Sequence, residues 1–468
     1  SIGALPSGRG AVIGTISNYG STNAGSNNYY LDGLAHSVTN ITANSASQKG
    51  LENGRIAYYL QSNNTEQVWG QDIDNGKPRQ YVPTINAGKL YKVPVCGGDT
   101  GYSNSSETNG HNYIDYKCVF CGMYTQPPKG DIYYLISNIG HLLWWQQAIN
   151  EAGANERYVK LVADIDLNPG YVFNEDGTVL YNGEPVTSGW YEWTPMGTEE
   201  ETSGGEFFGN NHTISGIYIN SDIDYAGFFG VTYNANIKDF NISNAYIKGK
   251  TSAGGLCGKA MYSKITNCVS NATVSAENNA GGICGEIKQT NFYQCGNNGN
   301  IDGYYAGGIC GYEPMGEPGK VYFGYMENCY NTGDITGESS AGGLFGFKID
   351  THCYNCFNIG KVTSVDNAHD ISTFHFNNKN SYYLSETETE DGGKTVEQFA
   401  SGEVAYLLQQ GNTEQVWGQD NNQAGAKPMF DSTGLYKVVT VGETGNYSVA
   451  NVGDTNGDGT VDVTDYQA

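Results

Sequence analysis

The chain has 468 residues, among them 65 Gly, 36 Tyr and 11 Cys, and only 16% are charged. Its 49 acidic and 24 basic side chains give a formal charge of −25, which repels nucleic acid and anionic membranes at long range. No apolar run approaches the roughly 20 residues that span a bilayer, so no direct membrane insertion is expected; abundant Gly and aromatics favour many short strands over helices.

Taken in chain order, residues 1–39 read as the last coil of a preceding β-helix, because NNYYL ending at Leu31 returns as NSYYL ending at Leu384. Residues 40–95 form a small module containing GRIAYYLQSNNTEQVWGQD at Gly54–Asp72. Residues 96–127 then carry Cys96, His111, Cys118 and Cys121 in a C-x14-H-x6-C-x2-C spacing that ends in a CVFCG knuckle. Three thiolates and one imidazole suit a structural, tetrahedral zinc ion that would brace a linker; a disulfide with a spare thiol is the alternative.

A capped β-helix is expected over 128–384. It opens with the one clear helical signal, ISNIGHLLWWQQAINEAG, where Ser137 or Asn138 can cap the N-terminus. Leu142, Trp145, Ile149 and Ala152 fall on one face, and Gly153 stands at the stop. Trp144 and Trp145 are expected to pack on the first coil, with a sugar platform as the alternative. KLVADIDL, WTPMGT and FFGNNHTISGIYI follow, each read as strand plus turn.

The repeat comes next: AGFFG at Ala226, AGGLCG at Ala253, AGGICG at Ala280 and Ala306, and AGGLFG at Ala341, in steps of 27, 27, 26 and 35 residues. The long step holds an insertion at 312–322. Three short strands per unit, with Gly-Gly marking a corner where a Cβ would clash or φ must be positive, make one coil of a right-handed parallel β-helix, a mainly β fold. Equivalent side chains should then form inward columns about 4.8 Å apart. Cys257, Cys284 and Cys310 occupy one column, flanked by Phe229 and Phe345; Cys268, Cys295, Cys329 and Cys356 occupy another. Cysteines on a repeat period are read as small buried hydrophobes rather than metal thiolates, and mostly free, since in-register Cβ atoms stand farther apart than a disulfide prefers.

Residues 385–447 form a second copy of the small module: GEVAYLLQQGNTEQVWGQD at Gly402–Asp420 repeats the first at a displacement of 348. Trp69 and Trp417 are expected as buried anchors, with a ligand-facing role as the alternative. Residues 448–468 hold DTNGDGTVDVTD, which supplies oxygen ligands for calcium at every position of an EF-hand-type loop: Asp454, Asn456, Asp458, the Thr460 carbonyl, Asp462 and Asp465, with Gly459 at the turn.

The helix, the L-x-x-DIDL strand, the W-x-P-x-G turn, the F-x-G-x-x-HTISG segment and the AGG-[LI]-x-G…NC-x-N-x-G-x-[IV] coils, in that order, resemble the GLUG-repeat proteins. These are secreted or wall-attached bacterial proteins, including adhesin-like giants and the non-catalytic regions of some IgA-cleaving peptidases. The resemblance covers about half the chain and implies a stalk or binding surface, with no catalytic residues to carry over. The calcium loop resembles the first half of a type I dockerin repeat, which implies a cohesin-like partner.

Together these readings point to an extracellular scaffold or adhesin, secreted or at the cell surface. Its partners would be a cohesin-like protein or a host or plant glycan or protein ligand. A polysaccharide-active enzyme is the alternative, although the coils show no ladder of Asp, Glu or Lys and acids such as Asp334 and Glu338 sit singly beside turns. The insertion and the acidic loop 199–206 are the expected places for a cleft. A self-assembling filament, formed by end-to-end stacking of open coils, is the third reading.

Overall fold

Three short strands separated by tight corners cannot bury their apolar faces alone, but a stack of such coils can. The computed structural model describes residues 124–450, apart from 153–157, 201, 315–323, 349–350, 374–377 and 442–445, together with short segments between 29 and 118. The zinc candidates Cys96, His111 and Cys121 lie outside these residues, as does the side chain of Cys118, and so does the whole calcium loop Asp454–Asp465. The chain divides into two units, Ser1–Gln126 and Pro127–Ala468.

The larger unit is a parallel β-helix of about 8 turns. Register is strict. Ala226, Ala253, Ala280, Ala306, Ala341 and Ala368 are successive partners along one column. Phe229, Cys257, Cys284, Cys310 and Phe345 form a second. A third runs from Phe207 through Ile237, Ile265, Phe292 and Met326 to Cys353. All three columns are buried apart from Ala368 at the end of the first, so each coil before it is sealed by its neighbours.

Two corner chemistries hold this register. The Gly-Gly pair is not a left-handed turn, since neither glycine takes a positive φ in any copy; it is a place of close approach. A Cβ on Gly281 would lie 2.0 Å from the Cys284 carbonyl oxygen. The second corner does need the left-handed region. Asp239, Asn267, Gln294, Asn328, Asn355 and Asn380 all have φ of 50–55°, and the first five each precede a position of the second cysteine column or its Phe240 equivalent. Asn and Asp tolerate that region better than most side chains, which accounts for the NC pairs of the sequence. Past this corner each thiol donates to the carbonyl two residues back: Cys268 to Thr266 at 3.3 Å, Cys295 to Tyr293 at 3.4 Å, Cys356 to Tyr354 at 3.1 Å.

An amide column completes the interior. Asn297, Asn331 and Asn358 are buried, and each hands a side-chain N–H to the next: Asn297 Nδ2 to Asn331 Oδ1 and Asn331 Nδ2 to Asn358 Oδ1, both 2.8 Å. Each also closes its own turn on the carbonyl of Gly299, Gly333 or Gly360. Buried amides left unpaired would cost about 1–3 kcal/mol apiece; here they are paired.

Eight cysteines among the described residues are free and buried, Cys353 being one that falls in neither expected column. Burial pushes the thiols of Cys268, Cys284, Cys310 and Cys329 well above their ordinary value and that of Cys353 up to about 11. A thiol that ionises less readily when folded binds its proton more tightly than in the unfolded chain. The associated stability is intact below the unfolded thiol value of about 8.5 and is lost as pH climbs above it. Thermal unfolding in reductant should therefore shift to lower temperature above about pH 8.5. Native labelling by a thiol reagent should leave all eight untouched until the coil opens, and rapid native labelling would contradict the columns.

Both ends of the coil are covered. At the first, the helix Ile139–Ala152 begins at Asn138, whose Oδ1 accepts from the His141 amide at 3.0 Å. Trp145 stacks on Phe207 with centroids 5.2 Å apart and meets Phe229 edge-on; Trp144 lies against Tyr134. Both indoles are buried in the cap. At the other end, the helices Val396–Ser401 and Glu403–Gln410 bring Phe399, Val404, Leu408 and the fully buried Trp417 onto Phe357. The Trp417 indole donates to Asn328 Oδ1 at 2.8 Å, tying this cap to a left-handed corner residue.

In the smaller unit, helix Arg55–Gln61 and strand Trp69–Gly70 repeat the local structure of Glu403–Gln410 and Trp417–Gly418. Gln61 Oε1 accepts from the amides of Val68 and Trp69 at 2.8 Å, and Gln409 Oε1 accepts from Val416 and Trp417 at 2.9 Å. The same glutamine clasp stands at both ends of the 348-residue period. Trp417 is buried, whereas Trp69 is half-buried.

A candidate ligand groove on the coil

The acidic loop 199–206 uses two of its carboxylates in structural ties. Glu199 accepts from Lys259 Nζ at 3.0 Å and Tyr225 at 2.9 Å, and Glu206 pairs with Lys238 at 2.7 Å and with the Tyr133 hydroxyl. That last contact pushes the Tyr133 phenol up to about 12. The insertion lies largely outside the described residues.

A groove of about 500 Å³ occurs elsewhere, under a flap that repeat-based reading leaves unassigned. The flap is an antiparallel sheet of Tyr171–Phe173, Val179–Tyr181 and Glu184–Val186. Its tip is an Asx turn, in which Asp176 Oδ1 accepts from the amide and hydroxyl of Thr178 at 2.9 and 2.6 Å, holding that carboxyl below its usual range. Its base is fixed to the coil through Asn244, whose Oδ1 accepts from the Phe173 amide (3.0 Å) and whose Nδ2 donates to the Tyr171 carbonyl (2.8 Å). Phe173, Val179 and Tyr218 form the apolar seam beneath.

The floor is built from two outward columns flanking the buried run Ile247, Val274, Ile301 and Ile335. One holds Tyr246, Thr273, Asn300 and Asp334; the other holds Lys248, Ser275, Asp302 and Thr336. The floor is stiff because its polar groups are tied to backbone. Asn300 Oδ1 accepts from the Asp334 amide at 2.9 Å, and Asp334 Oδ1 accepts from the Lys361 amide at 3.0 Å. Asn300 Nδ2 also donates to Glu175 Oε2 at 2.8 Å, joining floor to flap. Tyr246 stacks on Tyr218 at 5.6 Å, and burial, with Tyr218 and Asp176 nearby, raises its phenol.

Glu175, Asp176, Glu277, Asp302 and Asp334 line this groove against one ammonium, Lys248. Asp302 and Asp334, on adjacent coils, are brought into one groove by the register rather than sitting singly beside turns. The arrangement offers hydroxyls, an amide and carboxylates at coil spacing with an aromatic ring at one end. Such a surface can hydrogen-bond an extended polyhydroxylated chain, and its negative charge disfavours an anionic one. The expected cysteine columns lie in the core and contribute nothing to it. Among the described residues no three His, Cys, Asp or Glu side chains gather as a metal site, and no helix is long and apolar enough to cross a membrane.

The class defined by this architecture is the capped parallel β-helix proteins. No family model matches the chain, and no curated protein does. Among solved structures, it is similar to one described as a "putative immunoglobulin A1 protease from Bacteroides ovatus", with 18% identity over 67% of this chain and 96% of that one, and a TM-score of 0.45. A second, described as "IgA1 Protease", matches with 14% identity over 67% of this chain but 25% of its own length, and a TM-score of 0.32.

Proposed function

We propose that this chain is an extracellular bacterial scaffold or adhesin, secreted or held at the cell surface, whose β-helix stalk presents the flap-walled groove to a glycan. The supporting observation is the groove itself: a rigid, in-register floor of Tyr246, Thr273, Asn300, Asp302 and Asp334 under a flap anchored at Asn244. Five carboxylates against one ammonium select a neutral or amino-bearing polysaccharide over an anionic one. Attachment to a larger assembly is assigned to the calcium-loop segment Asp454–Asp465, through a cohesin-like partner.

A glycan array followed by titration tests this. Oligomers carrying neutral or amino sugars should bind, and Asp302→Ala should weaken them roughly tenfold or more, the worth of a hydrogen bond to a charged group, with the far-UV signal unchanged. Binding confined to polygalacturonate, or affinity indifferent to Asp302→Ala and Asn300→Ala together, would contradict the reading. The second reading, a polysaccharide-active enzyme, is favoured by the shared placement of Asp302 and Asp334 in the groove. Reducing-sugar release that vanishes in Asp334→Asn would select it.

A further inference from the structure

One inward column changes character along the coil. Thr232, Ala260 and Ile287 are followed in register by Glu313 and Lys348, all buried, with Glu313 5% and Lys348 0% exposed. The Glu313 amide donates to the Phe347 carbonyl at 2.9 Å, which sets the acid beside the lysine on adjacent coils. The neighbouring column Phe292, Met326, Cys353 ends on Asn378. Three apolar positions of the repeat are thus replaced by an acid, an amine and a carboxamide at one end of the coil. Lys348 Nζ meets the Asn378 side-chain oxygen at 2.8 Å and the Cys353 sulfur at 3.7 Å. The buried Ser372 hydroxyl lies within hydrogen-bond distance of both ends of the carboxamide, 3.1 Å from Nδ2 and 3.3 Å from Oδ1, and Oδ1 is the end that meets the lysine.

Placing an ammonium in an apolar core is costly without a partner of opposite charge. Among the described residues Lys348 has no carboxylate within ion-pair distance; it faces an electrophilic carbonyl and a thiol. We propose that Lys348 and Asn378 are the two halves of an intramolecular isopeptide bond that staples consecutive coils at this end. The lysine nitrogen adds to Cγ of Asn378, a C–N bond forms, and the Asn378 amide nitrogen leaves as ammonia. The proton lost by the amine passes to the departing nitrogen, so that ammonia leaves; the Glu313 carboxylate, one coil away in the same column, is held by the amide and hydroxyl of Thr351 at 3.1 and 2.9 Å. Atoms balance as amine plus carboxamide giving amide plus ammonia, with no oxidant. The inference is independent of what the groove binds.

Intact-mass measurement of the purified chain, denatured and reduced, is the test. The expected mass is about 17 Da below the sequence value, the mass of one ammonia, with a branched proteolytic peptide joining Lys348 to Asn378. The loss should vanish in Lys348→Met and in Asn378→Ala, with the far-UV signal retained. Full sequence mass with linear peptides carrying both residues unmodified would overturn the proposal. So would a gain of about 14 Da on a Lys348–Cys353 peptide, which would assign the amine to an oxygen-bridged link with the thiol after oxidation by peroxide.

Discussion

Gly307→Val should unfold the coil at ordinary temperature, with a loss of more than about 3 kcal/mol, beyond the usual range of overpacking. A Cβ at this corner would lie 2.0 Å from the Cys310 carbonyl oxygen and 2.5 Å from the Gly346 amide nitrogen. Both obstacles are backbone, and Gly346 belongs to the next coil, so neither can swing aside as a side-chain tip would. Relief requires opening the corner between Gly307 and Cys310 and also separating the coils, which breaks the pairing of Cys310 with Phe345 and of Ala306 with Ala341. Urea denaturation followed by circular dichroism is the measurement, with Gly130→Ala as the control. A Cβ at Gly130 meets only Leu135 at 3.4 Å or more, in ordinary contact, and that change should stay within about 0.5 kcal/mol. A Gly307→Val protein as stable as its parent would remove the close-approach account of the Gly-Gly corner.

Trp145→Ala should cost about 3–5 kcal/mol, the range for truncating a fully buried aromatic. The indole is 1% exposed and fills the space between the cap helix and the first coil, stacked at 14° on Phe207 and edge-on to Phe229. Its removal takes away the contact that joins the cap to the aromatic cluster of Phe207, Phe228, Phe229 and Phe240. An uncovered coil end presents unpaired strand edges, so the variant should also gain a concentration-dependent high-mass species in size-exclusion chromatography. A loss below about 1 kcal/mol with no such species would show that the helix is not what closes this end.

The sequence makes the coil legible because the solenoid writes its period into the chain. Five alanine-led segments at near-equal steps fix which backbone lies over which, and the cysteine columns follow from that spacing. The cap helix is legible for a different reason, a single 3.6-residue periodicity begun by Asn138. What escapes is whatever does not repeat. Tyr171–Val186 occurs once and carries no echo in later coils, so nothing marks it as a flap, and the groove beneath it stays hidden. Asp302 and Asp334 are 32 positions apart in the chain and meet only through the register. Asn297, Asn331 and Asn358 look like ordinary turn residues; their burial comes from a corner that folds the amide inward. Lys348 and Glu313 read as solvated charges, since such side chains are seldom buried, and only stacking places them inside.

The amide column has a further meaning for how such a molecule can change length. Asn331 both gives an N–H to its successor Asn358 and takes one from its predecessor Asn297, so its storey of the tower presents a socket on one side and a plug on the other. A duplicated storey slipped between two existing ones finds its connections already made, whereas a fragment of a storey leaves a plug with no socket. Growth and shrinkage of this tower therefore proceed by whole storeys, and differences in reach between relatives would be counted in whole turns.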